Sequence, residues 1–237
     1  MKVLFIYSLS DVYNPNRPLH SFQNIHIGIS YLSSSLKSKG HITRLLILPC
    51  EDCKKSVDMV NEYINAYSPD IVAFTAVATQ YPFISKIAGY IKNNWPGILL
   101  VVGGAHASLC PEEVLRDSFD VLCISEGEGP MLELVEQVAL AGHAKKIRNL
   151  WIKQNQDSVD KNSAREFNQD LDSLPFPDRE MWRPWIQESV KSSQVILVGR
   201  GCPFSCTYCS NHALRKIAPG KYVRYRSPKN IIEEIRY

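Results

Sequence analysis

Five times in its first 142 residues this chain repeats one unit, a short and almost wholly apolar run followed by a second segment of helical character. The runs are KVLFIYS (2–8), HITRLLIL (41–48), DIVAFTAV (70–77), ILLVVGG (98–104) and DVLCISEG (120–127). A strand that is apolar on both sides of its pleat must be covered on both faces. That requirement points to a parallel sheet between two layers of helices. The intervening segments carry helical spacing. Ile29, Leu32 and Leu36 share a face within 28–40, where Gly40 is a natural C-terminal stop. Val57, Val60, Ile64 and Tyr67 do so in 56–67, and Ile84, Ile87, Ile91 and Trp95 in 82–95. Pro111 opens a shorter helix over 111–117, and 129–142 closes the series. The prediction is an α/β fold with a five-stranded, parallel, doubly wound sheet in the order 2-1-3-4-5 and right-handed crossovers.

Beyond residue 142 the rhythm stops. Residues 143–190 read as a connector, polar at first, with a short hairpin around 150–159. Its stretch DLDSLPFPDREMWRPW (170–185) supplies the aromatics that would order it in part. SQVILVGRGC (193–202) begins a new strand pattern, and SPKNIIEEIRY (227–237) a helix with Ser227 as N-cap and Pro228 in its first position. One strand, one loop and one helix cannot close a core. Residues 191–237 therefore read as the unfinished beginning of a second domain.

Composition narrows the setting. The chain has 237 residues, 45% of them hydrophobic, and a formal net charge of only +3. That balance gives no argument for a nucleic-acid or anionic-membrane surface, so neither partner is expected. MKVLFIYSLSD reads as a buried first strand and not as a signal peptide, because Asp11 ends the run and no small-residue cleavage site follows. No apolar segment approaches the length of a membrane span. The expected compartment is the cytoplasm, where thiols stay reduced, so the seven cysteines read as metal ligands or core residues before disulfides.

Three of them crowd into RGCPFSCTYCS (200–210): Cys202, Cys206 and Cys209. Thiolates favour soft or borderline metals, and an iron–sulfur cube takes one thiolate per iron. Three thiolates on a four-iron cube leave one iron open to another ligand. Zinc is the alternative, but it wants four protein ligands in a closed site, and His212 is the only nearby fourth candidate. Pro203 stiffens the loop, which leaves the C-terminal end of a strand, where parallel α/β folds place their active sites.

Cys-x3-Cys-x2-Cys after Arg-Gly, with an aromatic before the third cysteine, resembles the signature of the radical S-adenosylmethionine enzymes. The match in GRGCPFSCTYCSN falls on Gly201, Cys202, Cys206, Tyr208 and Cys209. The resemblance implies a [4Fe-4S] cluster on the three cysteines as metal ligands, with S-adenosylmethionine chelating the open iron and Tyr208 beside its adenine. Cleavage of the sulfonium would then yield a 5′-deoxyadenosyl radical. It also implies an electron donor such as flavodoxin or ferredoxin, and a small-molecule substrate.

The order GISYLSSSLKSKGH, DIVAFTAV, VVGGAHAS, SEGEGP, LPFPDR and then the cysteine loop resembles the cobalamin-binding branch of that family, over essentially the whole chain. The resemblance implies that 1–142 is a flavodoxin-like, or Rossmann-like, cobalamin-binding domain and that 191–237 begins a partial (β/α) barrel. Cobalamin would lie across the strand ends, with Ser8, Thr75, Val77, Thr79, Gly103, Gly104, His106, Glu126 and Gly127 as the expected contacts. Glycines in VVGGAHAS and SEGEGP would let the backbone approach a ligand. No G-x-G-x-x-G follows the first strand, which argues against a dinucleotide.

The Asp-x-His-x-x-Gly loop that supplies a cobalt-ligating histidine in other cobalamin proteins is absent, so no residue is assigned as lower ligand. His106 reads as a loop histidine bonded near the corrin or to backbone. Glu126 and Glu128 read as contacts to cofactor amides, or as charges at the start of helix 129–142, before an acid–base pair. Cys50 and Cys53 form a lone C-x2-C read as exposed edge thiols, and Cys123 as a core residue. The function expected from the resemblance is methyl transfer, or a radical rearrangement or cyclisation. Two alternatives stand beside it: a first domain that serves as a docking module without cobalamin, and a non-catalytic cofactor-binding protein. Turnover is not expected of these 237 residues in isolation.

Overall fold

The computed structural model describes residues 1–10, 17–50, 52–155, 158–187 and 194–237. The chain runs through β1 (Lys2–Leu9), α1 (Ile27–Lys37), β2 (Ile42–Pro49), α2 (Cys53–Tyr67), β3 (Ile71–Thr75), α3 (Tyr81–Asn94) and β4 (Leu99–Gly103). Two short helices follow, α4 (Ala105–Leu109) and α5 (Pro111–Val114), then β5 (Val121–Cys123) and α6 (Glu128–Ala141). The first five strands are parallel in the order β2-β1-β3-β4-β5, as the alternation of apolar runs predicts. β1 lies at the centre of that pairing: Phe5 faces Leu45 on one neighbour and Ala73 on the other. Val3, Leu4, Phe5 and Ile6 are each no more than 2% exposed. Burying side chains of this size stabilises the fold by about 1.5–3 kcal/mol each.

The sheet does not stop at five strands. β6 (Leu150–Lys153) and β7 (Val159–Lys161) continue it beyond β5 as an antiparallel hairpin, giving seven strands. The hairpin predicted within the connector is thus an edge of the main sheet, and the sheet unit runs past residue 142 to Lys161. Its alternation explains the placement. Leu150 and Ile152 turn into the core, while Trp151 is half-buried under the Lys161 ammonium, 4.7 Å from its ring centre.

The aromatic connector docks as its composition suggests. Trp182 is fully buried, and its Nε1–H donates to Ser30 Oγ on α1 at 2.8 Å. Asp178 accepts from Ser33 Oγ at 2.6 Å and pairs with Lys37 Nζ at 2.6 Å, both on the same helix.

The expected strand over 193–202 is corrected to a two-residue one. β8 (Gly199–Arg200) pairs antiparallel with β9 (Arg224–Tyr225), and α7 (Asn211–Leu214) lies between them. Residue 193 lies outside the described residues. Upstream of β8, arginine side chains take carbonyls that a neighbouring strand would otherwise bond: Arg179 donates to Val195 O and Arg226 to Leu197 O, each at 2.9 Å. The last helix, α8 (Pro228–Arg236), begins as predicted, with Ser227 Oγ accepting from the Asn230 N–H at 3.1 Å. Its Glu234 is buried between Arg226 and Arg179, the latter at 2.5 Å. No helix among the described residues is long and apolar enough to cross a membrane.

Candidate functional site

At the C-terminal ends of the parallel strands lies a cavity of about 350 Å³, with β1, β3, β4 and β5 beneath it and the start of α1 at its side. Its wall is largely apolar, with Phe5, Leu32, Phe74, Val101, Met131 and Leu197 among the lining residues. Tight backbone makes room for it. Gly104 adopts φ +95°, and a Cβ there would sit 2.8 Å from Ala76 O and 2.9 Å from Thr75 Oγ1. Ser125 also has positive φ, 72°, and its N–H donates to Ser108 Oγ at 3.0 Å. A Cβ on Gly127 would lie 3.2 Å from Leu32 Cδ2, tight against the opposite wall.

Five of the expected contacts meet there: Thr75, Gly103, Gly104, Glu126 and Gly127 line the cavity. Four do not. Ser8 is 1% exposed beneath the start of α3, where Gln80 Nε2 donates to its carbonyl at 3.1 Å. Val77 and Thr79 lie in the turn after β3 and point to solvent. His106 turns away from the strand ends and stacks on Tyr81, ring centres 4.2 Å apart. A strand end can be read from sequence, but the side on which a loop residue emerges is set by the turn geometry beyond it.

His26 lines the cavity and was not singled out by the sequence pattern. It caps α1, its Nδ1 accepting from the Ile29 N–H at 3.2 Å. Burial lowers its pKa, which favours the neutral ring. With Nδ1 accepting, the remaining proton sits on Nε2, so this histidine is a donor and not a free metal ligand. Cys123, expected in the core, is buried at the cavity edge, and burial pushes its thiol up to about 12.

The carboxylates of SEGEGP are held by arginines. Arg200 Nη1 donates to Glu126 Oε1 at 3.0 Å and Nη2 to Glu128 Oε1 at 2.5 Å. Arg224 Nη1 reaches Glu126 at 2.9 Å, and the Asn168 N–H donates to it at 2.8 Å. Burial pushes the Glu126 carboxyl up, but the Arg224 hydrogen bond, the Arg200 charge and the Asn168 N–H outweigh it and hold the pKa below its ordinary value. Glu126 is therefore held as a fixed anion between two arginines, and Glu128 is paired with Arg200. Arg200 also lines the cavity and directly precedes Gly201 and Cys202.

The three-cysteine loop follows. Gly201 has φ +88°, and a side chain there would run into the Tyr222 carbonyl. Arg215 Nη2 gathers the loop by donating to the carbonyls of Cys202 at 3.0 Å, Pro203 at 3.3 Å and Phe204 at 3.1 Å. The Asn211 backbone N–H and then its side-chain amide, 3.3 Å from Cys209 Sγ, lower that thiol's pKa. Tyr222 OH donates to Asn211 Oδ1 at 2.7 Å and so aims the amide. The three thiols are free, and the side chains of Cys206 and Tyr208 are exposed. Their sulfurs are not gathered within 4.8 Å of one another, the compactness a single ion would require. The donor set, three accessible thiols on one pinned loop, fits an iron–sulfur cluster with one iron left without a protein ligand.

The sequence profile described as "B12 binding domain" matches residues 21–135. An uncharacterized methyltransferase of Pyrococcus horikoshii is 28% identical over 215 residues, covering 88% of this chain and 44% of that protein. The anaerobic magnesium-protoporphyrin IX monomethyl ester cyclase of Rubrivivax gelatinosus is 27% identical over 215 residues, covering 87% and 38%. Among solved structures, the cobalamin-dependent S-adenosylmethionine radical enzyme OxsB, with aqua-cobalamin and S-adenosylmethionine bound, superposes with a TM-score of 0.69 at 17% identity. That match covers 99% of this chain and 31% of OxsB, and it is a likeness of fold. The chain spans less than half the length of each of these proteins.

Proposed function

Because the chain belongs to the cobalamin-binding radical S-adenosylmethionine family, we propose that it holds the two cofactors of a methyl-transfer or radical-cyclisation enzyme. The strand-end cavity seats cobalamin, and Cys202, Cys206 and Cys209 hold a [4Fe-4S] cluster whose open iron takes S-adenosylmethionine. When bound, these groups supply a transferable methyl group and a one-electron route to a carbon radical.

The chain's own residues bind, orient and exclude water. Gly103 and Gly104 let the β3 and β4 ends pack closely beneath the cavity, and Gly127 keeps a side chain from crowding Leu32 on its wall. The apolar wall suits the flat face of a large macrocycle, and His26 Nε2–H offers a donor to its amide fringe. Arg215 pins the thiol loop through its carbonyls, and Asn211 favours thiolate at Cys209. Tyr208 is free to lie against an adenine. A small-molecule substrate and a one-electron donor such as flavodoxin or ferredoxin complete the reading.

One observation carries it: Arg200 belongs to both places, lining the cavity and forming the root of the thiol loop. The test is the iron content of chain reconstituted anaerobically with iron and sulfide. Wild type should hold about four irons, and the C202A/C206A/C209A variant close to none. Equal iron in both proteins, or zinc in place of iron in the wild type, would refute the cluster assignment.

A further inference from the structure

We propose that His106, Cys110 and Glu113 form a binding site for one divalent transition-metal ion of the zinc class, separate from the thiol loop. The three residues follow one another by single helical turns across the joint between α4 and α5. The Cys110 N–H donates to His106 O at 2.8 Å, and the Glu113 N–H to Cys110 O at 3.1 Å. Their donor atoms all lie within 4.8 Å of one another, and no other trio of histidine, cysteine or carboxylate donors does so among the described residues.

Two observations point to a ligand. The His106 side chain is 8% exposed, and its Nε2 is buried without a hydrogen-bond partner. Buried polar atoms are rarely left in that state. Glu113 Oε2 lies 3.7 Å from Nε2, too far for a hydrogen bond. On a tetrahedral zinc ion an imidazole nitrogen and a carboxylate oxygen, bonded at about 2.0–2.2 Å, stand about 3.4 Å apart, so a shift of a few tenths of an ångström by the exposed Glu113 side chain brings both onto one ion.

The chemistry of the set selects the ion. A thiolate, an imidazole and a carboxylate suit zinc and its neighbours, and disfavour magnesium and calcium. Cys110 is half-buried and Glu113 exposed, so an ion can enter from solvent and keep a water in its fourth position. Tyr81 closes the other side of the imidazole. The His106 N–H donates to Ala76 O at 3.0 Å, so an ion here would pin the α4–α5 joint directly behind the Gly104 turn. The proposal does not depend on which cofactors fill the strand-end cavity or the thiol loop.

The test is zinc titration, followed calorimetrically, of the full chain in a C202S/C206S/C209S background that removes the loop thiols. One zinc ion per chain is expected. Cys110→Ser should weaken binding by about tenfold or more, and Glu113→Gln by several-fold. Both positions reach the surface, so the fold should survive, which circular dichroism checks. Substituting Cys50 and Cys53 together with serine should leave the titration unchanged. Absence of zinc binding, or binding that survives Cys110→Ser and Glu113→Gln, would overturn the proposal. So would binding lost only with Cys50 and Cys53.

Discussion

Arg200 and Glu126 stand 74 residues apart in sequence and 3.0 Å apart in space. The guanidinium grows from the residue before the cysteine loop, and the carboxylate from the turn that floors the strand-end cavity. Glu128 and Arg224 complete the cluster. Side chains on Arg200, Glu126, Glu128 and Arg224 are all less than 20% exposed. Desolvated charges of this kind hold position only while every one is paired.

Arg200→Met should therefore destabilise the chain. It leaves Glu128 without its arginine, while Glu126 keeps Arg224. Removing one member of a buried pair costs about 3–5 kcal/mol, and the Arg224 contact places this case near the lower end. Urea unfolding measures it. A double-mutant cycle with Glu128→Gln should return a coupling of about 1 kcal/mol or more.

The same cluster predicts a pH dependence. Glu126 has a folded pKa below its ordinary value of 4.5, so in acid the unfolded chain binds its proton first. Its contribution is full above pH 4.5 and falls away as pH drops through the lowered folded value. Glu126→Gln should flatten that part of the stability–pH curve. Unfolding midpoints taken between neutral and acid pH would show the two curves converging as the acid limit is approached.

Two glycines separate backbone strain from crowding. Gly40 has φ +79°, and a Cβ at that position would meet nothing within 4 Å, whereas Gly104 has φ +95° and its Cβ would meet Ala76 O at 2.8 Å. Gly40→Ala should cost about 1 kcal/mol from the left-handed conformation alone. Gly104→Ala adds a clash with backbone and should cost about 2–3 kcal/mol. Equal losses in thermal or urea unfolding would contradict the geometry.

Asn211→Ala removes one of the two Asn211 donors to Cys209 and leaves the backbone N–H. The thiol pKa should move back toward 9.0, and iodoacetamide should alkylate Cys209 more slowly near pH 8. Peptide mass mapping over time reads the rate, with Cys206 as internal reference. An unchanged Cys209 rate would show that the side-chain amide does not support the thiolate.

Much of this was legible in the sequence. Uninterrupted apolar runs such as ILLVVGG require cover on both faces, so the parallel sheet and its order follow from them. A short hairpin around 150–159 was visible, but nothing local tells which sheet edge Leu150 and Ile152 will join, or that pairing runs on to Lys161. The thiol loop was legible because its chemistry is written in consecutive residues. The cluster around Arg200 was not, because its partners are 72 and 74 positions away. His26 escaped notice because histidine is an uncommon N-cap, and its role depends on where α1 begins. His106 and Ser8 were placed at the right strand ends, but the side on which they emerge is a tertiary outcome.

The function proposed for the strand-end cavity turns on its holding a corrin. The most direct measurement is the optical absorbance of chain incubated with hydroxocobalamin and then desalted, set beside Gly127→Leu, whose side chain would press on Leu32 and Cys123 Sγ. About one corrin per wild-type chain is expected, with a large loss in Gly127→Leu while the fold stays intact. A wild-type chain that retains none would leave a docking module in place of a cofactor site, and equal retention by the variant would place the corrin elsewhere.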